Sequence, residues 1–260
     1  MHRAFNFFKR NLKEIFRDPV IYIFCLGFPL VMLILFYALN KFTNGNTLIF
    51  ELQALLPGVM LFSYSFVMLT LGLIVSKDRQ TFFLKRLYSS PMKASDFIFG
   101  YVLVGVLIGI LQIVLCFVAG LILSISAGVQ FLSVGEILLL TLWQMPMLIM
   151  NVFLGVLFGT LFNDKTAPGI CSVFISFAGI LGGCWMPIES MGAFETFCRC
   201  LPFYPSVYIG RVITNAQNSF GVSYAFDNVA LLGIVPIALF MGLSILLTVV
   251  AFKKNIVSDH

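Results

Sequence analysis

The chain has 260 residues, of which 60% are hydrophobic and only 10% are charged, and its formal net charge is +5. Soluble proteins average roughly 45–50% apolar and about 25% charged residues, so a soluble domain of this size could not cover its surface. Intrinsic disorder is excluded as well, because it requires low hydrophobicity. The composition therefore indicates an all-α polytopic membrane protein, with residues 1–260 forming a single transmembrane domain.

The N-terminal sequence predicts an amphipathic helix over residues 3–18. Its apolar and basic side chains recur at helical spacing on two faces, with Phe8, Leu12 and Ile15 on the first and Lys9 and Lys13 on the second. Pro19 then ends the helix, because a proline biases the residue before it away from the helical conformation. Such a helix lies in the membrane interface as an elbow. It would serve either as a simple orientation anchor or also as a contact for a cytoplasmic partner.

Six apolar segments follow, each long enough to cross a hydrocarbon core of roughly 30 Å, which takes about 20 helical residues. Their length and uniform apolarity favour helices over barrel strands, which have about ten residues and alternate in polarity. We therefore expect six transmembrane helices, at about residues 20–39, 54–76, 98–126, 134–162, 167–186 and 229–252.

The basic residues predict the orientation of these spans. With six spans, 13 Lys and Arg residues lie on the side of both chain termini and three lie on the other side. Cytoplasmic loops are enriched in Lys and Arg. We therefore expect both termini in the cytoplasm.

The cytoplasmic loop between the second and third predicted spans is both basic and apolar. A short helix fits residues 78–88, and its apolar side chains are Phe82, Phe83, Leu84 and Leu87. They are too many for a purely solvated loop, so lipid, the bundle or a partner protein must cover them. The alternative is that the loop only sets topology through its positive charge.

The outer loop between the fifth and sixth predicted spans, residues 187–228, has a helical periodicity of its own. Glu195 and Arg199 are spaced for an i,i+4 ion pair, and prolines at 202 and 205 interrupt the apolar pattern. Short broken helices here indicate a partial dip into the outer leaflet, where backbone must be buried in protein or line a wet cavity. We assign to this re-entrant-like segment Pro187, Glu189, Glu195, Arg199 and Pro202. The alternative is an interfacial cap without a role toward the substrate.

Features that the sequence lacks weigh against several function classes. The histidines, His2 and His260, lie at the chain ends, and no Walker A motif occurs, so histidine-dependent catalysis and ATP binding by that motif are excluded. Charged residues are absent from the middle of all six segments, whereas ion-coupled carriers usually need intramembrane ionisable groups and channels need charged rings or a carbonyl filter. We expect no catalytic residue, no metal and no cofactor in this chain.

The order of these features resembles the permease subunits of ABC exporters of the type-2 permease family, which includes drug, polysaccharide and lipid exporters. The resemblance runs from end to end of the chain. It is carried by the amphipathic helix ending in RDP, LLPGVM at Leu55–Met60, KDRQTFFLKRLYSSPMKASDFIFG from Lys77, GGCWMPIESM at Gly182–Met191, and LPFYP at Leu201–Pro205. One departure is at residues 78–81, where the family often has an E-x-G step.

The resemblance implies a coupling helix that contacts a nucleotide-binding subunit. The residues that match this role are Asp78, Arg79, Phe82, Phe83, Leu84, Arg86 and Leu87. It also implies two permease copies, usually as a homodimer, and two separate ABC ATPase subunits, which bind ATP and Mg²⁺. Besides these proteins and membrane lipid we expect no further partner, and in particular no nucleic acid.

We therefore expect a permease subunit of an ATP-driven ABC exporter in a bacterial cytoplasmic membrane. Its substrate would be amphipathic or hydrophobic, such as a drug, a lipid, a peptide or a glycan-linked lipid, and the chain itself would not be an enzyme. The first alternative is a stand-alone secondary carrier or channel, which the missing intramembrane charges disfavour. The second is a membrane enzyme, which the lack of internal histidines and of clustered carboxylates disfavours.

Overall fold

The computed structural model describes residues 2–19, 22–43, 47–80 and 94–258, and within these ranges the chain is helical without strands. The helices are α1 (His2–Ile15), α2 (Phe28–Phe42), α3 (Leu52–Gln80), α4 (Ala94–Ala127), α5 (Val134–Leu161), α6 (Ala167–Leu181), α7 (Ala193–Arg199), α8 (Phe203–Ile213) and α9 (Asn228–Ser258). A π-helical turn at Tyr22–Gly27 leads into α2, and 3-10 turns at Leu48–Phe50 and Ile188–Ser190 precede α3 and α7. The predicted all-α class is confirmed.

Five helices in the described part of the chain are long and apolar enough to cross a membrane. They are Ile23–Phe42, Leu52–Gln80, Ser95–Ala127, Val134–Leu161 and Asn228–Lys254. Each corresponds to one of the predicted segments, with ends that differ by a few residues. Together they support a multi-pass membrane protein.

The predicted fifth span is the exception. Its helix α6 has 15 residues, so it rises only about 22 Å, short of a hydrocarbon core of roughly 30 Å. The prediction that this helix continues to residue 186 is wrong. The chain turns after Leu181, and Gly183 adopts a φ of +63°, a left-handed conformation that favours glycine. The count of six spans stays a prediction.

Helix α3 forms the centre of the bundle. In its most apolar stretch 89% of the residues are buried, against 17–39% in the other four candidate spans. Two glycines let α5 approach it closely. A Cβ atom on Gly155 would lie 2.6 Å from the carbonyl oxygen of Met68, and one on Gly159 would lie 2.7 Å from that of Gly72. Small residues of this kind allow tight backbone packing between helices in a membrane.

A proline inside α3 ties this helix to α8 and the turn that follows it. Pro57 has no backbone N–H, so the carbonyl of Gln53, four residues earlier, loses its helical donor. The hydroxyl of Thr214, directly after α8, donates to that carbonyl at 2.7 Å. A buried carbonyl without a donor is costly in an apolar medium, so this side chain replaces the missing amide.

The same replacement occurs at the start of α2. Pro29 removes the helical donor for the carbonyl of Cys25, and the side-chain amide of Gln112 on α4 donates to it at 2.5 Å. The same amide nitrogen also donates to the carbonyl of Ser63 on α3 at 3.1 Å. One buried glutamine therefore joins the first helical segment to both α3 and α4.

Candidate functional site

The elbow helix α1 packs against α4 through an aromatic contact. The buried ring of Phe7 meets α4 edge-on, with centroid distances of 5.3 Å to Phe97 and 5.0 Å to Tyr101. A Cβ atom on Gly100 would lie 2.4 Å from the Phe7 ring, so only glycine allows this approach. The residues that the sequence assigns to the elbow lie on two sides of α1: inward Phe8, Leu12 and Ile15, outward Lys9 and Lys13. The sequence did not single out Phe7.

Asp78 is the centre of a polar cluster at the Gln80 end of α3. Its side chain is buried, and Arg10 binds it with two hydrogen bonds, Nη1 to Oδ2 at 2.8 Å and Nη2 to Oδ1 at 2.9 Å. The hydroxyl of Tyr101 donates to Oδ2 at 2.7 Å. Paired N–H groups of an arginine match a carboxylate in geometry as well as in charge. This elbow cluster, defined as Arg10, Asp78 and Tyr101, joins α1, α3 and α4.

A second carboxylate surrounds Arg10 with further negative charge. Glu14 lies 2.9 Å from Arg10 and 3.6 Å from Lys77 on α3. Burial alone would lower the pKa of Arg10, but its hydrogen bond to Asp78 and the charges of Asp78 and Glu14 raise that pKa above its ordinary value. The arginine therefore stays charged, and the contact between α1 and α3 is ionic.

Arg79 also faces the bundle. Its guanidinium donates to the carbonyl oxygen of Thr160 and, at 3.4 Å, to that of Gly159, both near the end of α5. The sequence assigned Asp78 and Arg79 to a surface for a partner, and the structure places both side chains in contacts within this chain. The other residues of that predicted surface lie outside the described residues: Phe82, Phe83, Leu84, Arg86 and Leu87.

A second polar cluster lies at the Leu52 end of α3, around the fully buried Arg211 of α8. The guanidinium donates to two backbone carbonyls, that of Ala54 on α3 at 3.1 Å and that of Gly183 after α6 at 2.8 Å. Glu189 lies 3.6 Å away as its ion-pair partner. A buried charge is tolerated when it is paired and its N–H groups find acceptors, and both conditions hold here.

Tyr224 completes the Arg211 cluster, which we define as Arg211, Glu189 and Tyr224. The tyrosine hydroxyl accepts a hydrogen bond from Arg211 Nη1 at 3.3 Å and donates one to Glu189 Oε1. Burial raises the pKa of Tyr224; the charge of Arg211 lowers it and that of Glu189 raises it again, and the net shift is upward. Tyr224 therefore keeps its proton at neutral pH and acts as the donor to Glu189.

Helix α8 packs inside the bundle, whereas α7 is largely exposed. Every residue of α8 from Phe203 to Arg211 is buried. The ring of Phe203 lies 5.5 Å from that of Phe174, the central residue of α6. A Cβ atom on Gly210 would lie 2.6 Å from Cβ of Pro57, so α8 touches α3 directly. Helix α8 therefore packs beside the short α6 and against α3.

The residues that the sequence assigns to the outer segment are not gathered into one site. Glu195 and Arg199 form an ion pair of 2.6 Å on the surface of α7, as their spacing predicts. Pro187 and Pro202 stand directly before the helical turn at residues 188–190 and before α8. Glu189 alone belongs to the Arg211 cluster, and Arg211 and Tyr224 were missed.

Both clusters hold helices together and are not arranged for catalysis. Each carboxylate is already paired with an arginine. In the described part of the chain, no group of three or more His, Cys, Asp or Glu residues is placed to hold a metal ion. The chemistry available to these side chains is to keep or exchange ionic and hydrogen-bonded contacts between helices.

The sequence model of a known family covers both clusters except Tyr224. It describes the ABC-2 type transporter, and it matches residues 4–215, from α1 to the residues just after α8. The chain belongs to the ABC-2 type transporter family. As an ABC-2 permease it is the membrane component of an ABC transporter, and the family implies association with an ABC ATPase subunit. No curated protein matches the chain.

Proposed function

We propose that this ABC-2 permease is a six-span subunit of an ATP-driven exporter in a bacterial cytoplasmic membrane. Two copies of it, as a homodimer, would work with two ATPase subunits that bind ATP and Mg²⁺, and both termini would be cytoplasmic. The short α6, followed by the buried α8, would form the fifth crossing and a re-entrant-like outer segment. The charge asymmetry of the loops supports the orientation.

The observation that carries the proposal is the position of the elbow cluster. Arg10, Asp78 and Tyr101 join α1, α3 and α4. Asp78 lies two positions before Gln80, the last residue of α3, and residues 81–93 follow directly. A basic and apolar segment at that place is suited to binding an ATPase subunit. Because Arg10 makes two hydrogen bonds to the buried carboxylate of Asp78, α1 and α3 would move together when the ATPase subunit displaces this segment. Asp78 and Arg79 would therefore position the coupling segment from within the permease.

Helix α3 provides the physical connection to the opposite end of the bundle. Its 29 residues extend about 43 Å, and its other end bonds to the outer segment through the carbonyls of Gln53 and Ala54. A displacement of α3 at Gln80 would thus reach α8 through a rigid element with direct bonds at both ends. Coupling of this kind needs a packed helix with defined contacts, and α3 is the most buried of the five candidate spans in the described part of the chain.

The side chains of the candidate spans support an amphipathic or hydrophobic substrate, such as a drug, a lipid, a peptide or a glycan-linked lipid. The candidate spans carry aromatic and mildly polar side chains without fixed charges at their centres. Such a surface can solvate an apolar body and a few hydrogen-bonding groups, but it cannot replace the hydration shell of a small ion. Movement would be outward.

The test of the proposed function combines assembly with transport. Phe83→Ala with Leu87→Ala should abolish most co-purification of the ATPase, or uncouple hydrolysis from transport, because apolar anchors commonly contribute about 2 kcal/mol or more each to an interface. The matched control is Phe220→Ala with Val222→Ala, two exposed residues after α8. The measurements are ATPase pull-down and transport in the same vesicles. Parental values for the first double variant would reject the coupling role, and transport without any ATPase would indicate a stand-alone carrier.

A further inference from the structure

The elbow helix carries an apolar edge that its packing on α4 does not use. Phe7, Phe8 and Ile15 are buried against the bundle, whereas Phe5 is 46% exposed and Phe16, in the turn that ends the helix, is 52% exposed. Phe16 follows Phe5 by eleven positions, which is about three turns at 3.6 residues per turn, so both rings lie on the same side of the helix. The ring of Phe5 stacks on buried Phe8 at 5.7 Å, so the exposed rings widen the apolar face beyond what packing on α4 requires.

A row of cations runs beside this exposed apolar edge. Lys9, Lys13 and Arg17 are four residues apart, so they form one row along the helix, and all three are exposed. The ammonium group of Lys9 lies 4.8 Å from the ring centroid of Phe5. The two exposed strips therefore adjoin each other, and about 12 Å of helix separates the first cation from the last.

The cations of this row are not neutralised by the described carboxylates. Two acids near the row pair with other cations: Glu14 with Arg10 and Lys77, and Asp78 with Arg10. Within the described ranges, no carboxylate lies within ion-pair distance of Lys9, Lys13 or Arg17. The row borders a shallow groove of about 580 Å³, which Arg10, Asn6 and Glu14 also line.

We propose that the cationic row of Lys9, Lys13 and Arg17 is a binding site for anionic phospholipids. The lipid phosphates bind the three side chains, and Phe5 and Phe16 enter the upper acyl region beside them. The order around the helix carries this assignment, because the apolar edge lies between the buried face and the cations. That order places the apolar edge toward lipid and the cations at the level of the headgroups.

Through this site the position of α1, which is bonded to α3, would depend on the lipid that is bound. The same helix holds Asp78 through Arg10, so lipid bound at one side of α1 sets the position of the elbow cluster on the other. Each Lys or Arg near the surface adds to the attraction of a protein to an anionic leaflet. Loss of two lysines is therefore expected to weaken binding roughly tenfold after screening by salt.

The experiment measures binding of phosphatidylglycerol and phosphatidylcholine to the purified full-length chain in neutral detergent, by native mass spectrometry. Lys9→Gln with Lys13→Gln should weaken phosphatidylglycerol binding roughly tenfold and leave phosphatidylcholine binding unchanged. The matched control is Lys253→Gln with Lys254→Gln, two exposed lysines near the end of α9, which should change neither by more than about twofold. Phe5→Ser should weaken binding of phosphatidylglycerol by a smaller factor.

Three outcomes would overturn the site. The first is an equal loss of phosphatidylglycerol in both lysine pairs, which would indicate a diffuse charge effect. The second is unchanged phosphatidylglycerol binding in the Lys9 and Lys13 variant, above all if ATPase co-purification is lost instead, since the row would then bind protein. The third is full displacement of the lipid by inorganic phosphate at the same concentration. The measurement needs no ATPase, so it stands or fails separately from the proposed function.

Discussion

The elbow cluster and the Arg211 cluster use the same three kinds of side chain at opposite ends of α3, but they distribute burial differently. In the elbow cluster the carboxylate of Asp78 is buried and its arginine side chain is 34% exposed. In the Arg211 cluster the arginine is fully buried and the side chain of Glu189 is 12% exposed. Substitution of the buried member is expected to be the most harmful change in each cluster, because several groups inside the bundle lose a hydrogen-bond partner at once.

The two clusters also differ in what they bond. The elbow cluster consists of side-chain contacts, whereas Arg211 donates to the backbone carbonyls of Ala54 and Gly183. Backbone acceptors cannot be removed by mutation and hold the arginine in a fixed place. The elbow cluster therefore joins α1 to α3 through side chains alone, whereas the Arg211 cluster also attaches α8 to the backbone of α3.

The largest effect is expected from Arg211→Met, which removes the buried arginine of the Arg211 cluster. The carbonyls of Ala54 and Gly183 would lose their donor and Glu189 its ion-pair partner, and breaking a buried pair typically costs about 3–5 kcal/mol. The variant should therefore melt at a clearly lower temperature in detergent. Arg199→Met on α7 is the control, because an exposed ion pair contributes about 1 kcal/mol or less. Equal melting of both variants would contradict the importance of burial.

The next largest effect is expected from Asp78→Asn in the elbow cluster. The amide keeps the shape but removes the charge that holds Arg10, and we expect a loss of about 2 kcal/mol, since the arginine can partly turn to solvent. The variant should fold, yet hydrolysis and transport should separate. A double-mutant cycle with Arg10→Gln checks the pairing. Additive effects in stability and in coupling would show that the two residues act independently.

The smallest of the three effects is expected from Glu189→Gln. Arg211 would keep its two carbonyl acceptors, and the glutamine amide could still accept from Tyr224, so the loss should be about 1 kcal/mol. Melting in detergent, compared with Arg211→Met under the same conditions, measures the difference. If Glu189→Gln were as harmful as Arg211→Met, the ion pair rather than the backbone bonds would hold α8.

Much of the bundle could be predicted from the sequence because apolar length alone determines which segments can cross a bilayer. Five segments were located to within a few residues, and the α7 ion pair was predicted from its spacing. The end of α6 could not be predicted in this way. Hydropathy stays high through residue 186, and the turn depends on the backbone freedom of Gly183 and on the space that α8 occupies.

The two clusters were harder to predict from the sequence, because their members are far apart in the chain. Arg10 and Asp78 are 68 residues apart, and the residues around each of them do not predict that the two side chains are in contact. Arg211 was counted as one of the three basic residues on the outer side, although Tyr208 and Val207, three and four positions before it, are a sequence signal that it lies on an apolar helix face. The residues of the predicted coupling surface beyond Gln80 stay a prediction.

The donor that Thr214 supplies to the carbonyl of Gln53 makes positions 57 and 214 interdependent. An ordinary amide at position 57 would satisfy that carbonyl within α3, and the hydroxyl at 214 would become dispensable. With proline in place, the hydroxyl is required, and an apolar residue of the same shape is not equivalent. Among related chains the two positions should therefore change as a pair, and positions 29 and 112 should do likewise. Polar residues that lower the hydropathy of a span can thus be the partners of prolines elsewhere in the bundle.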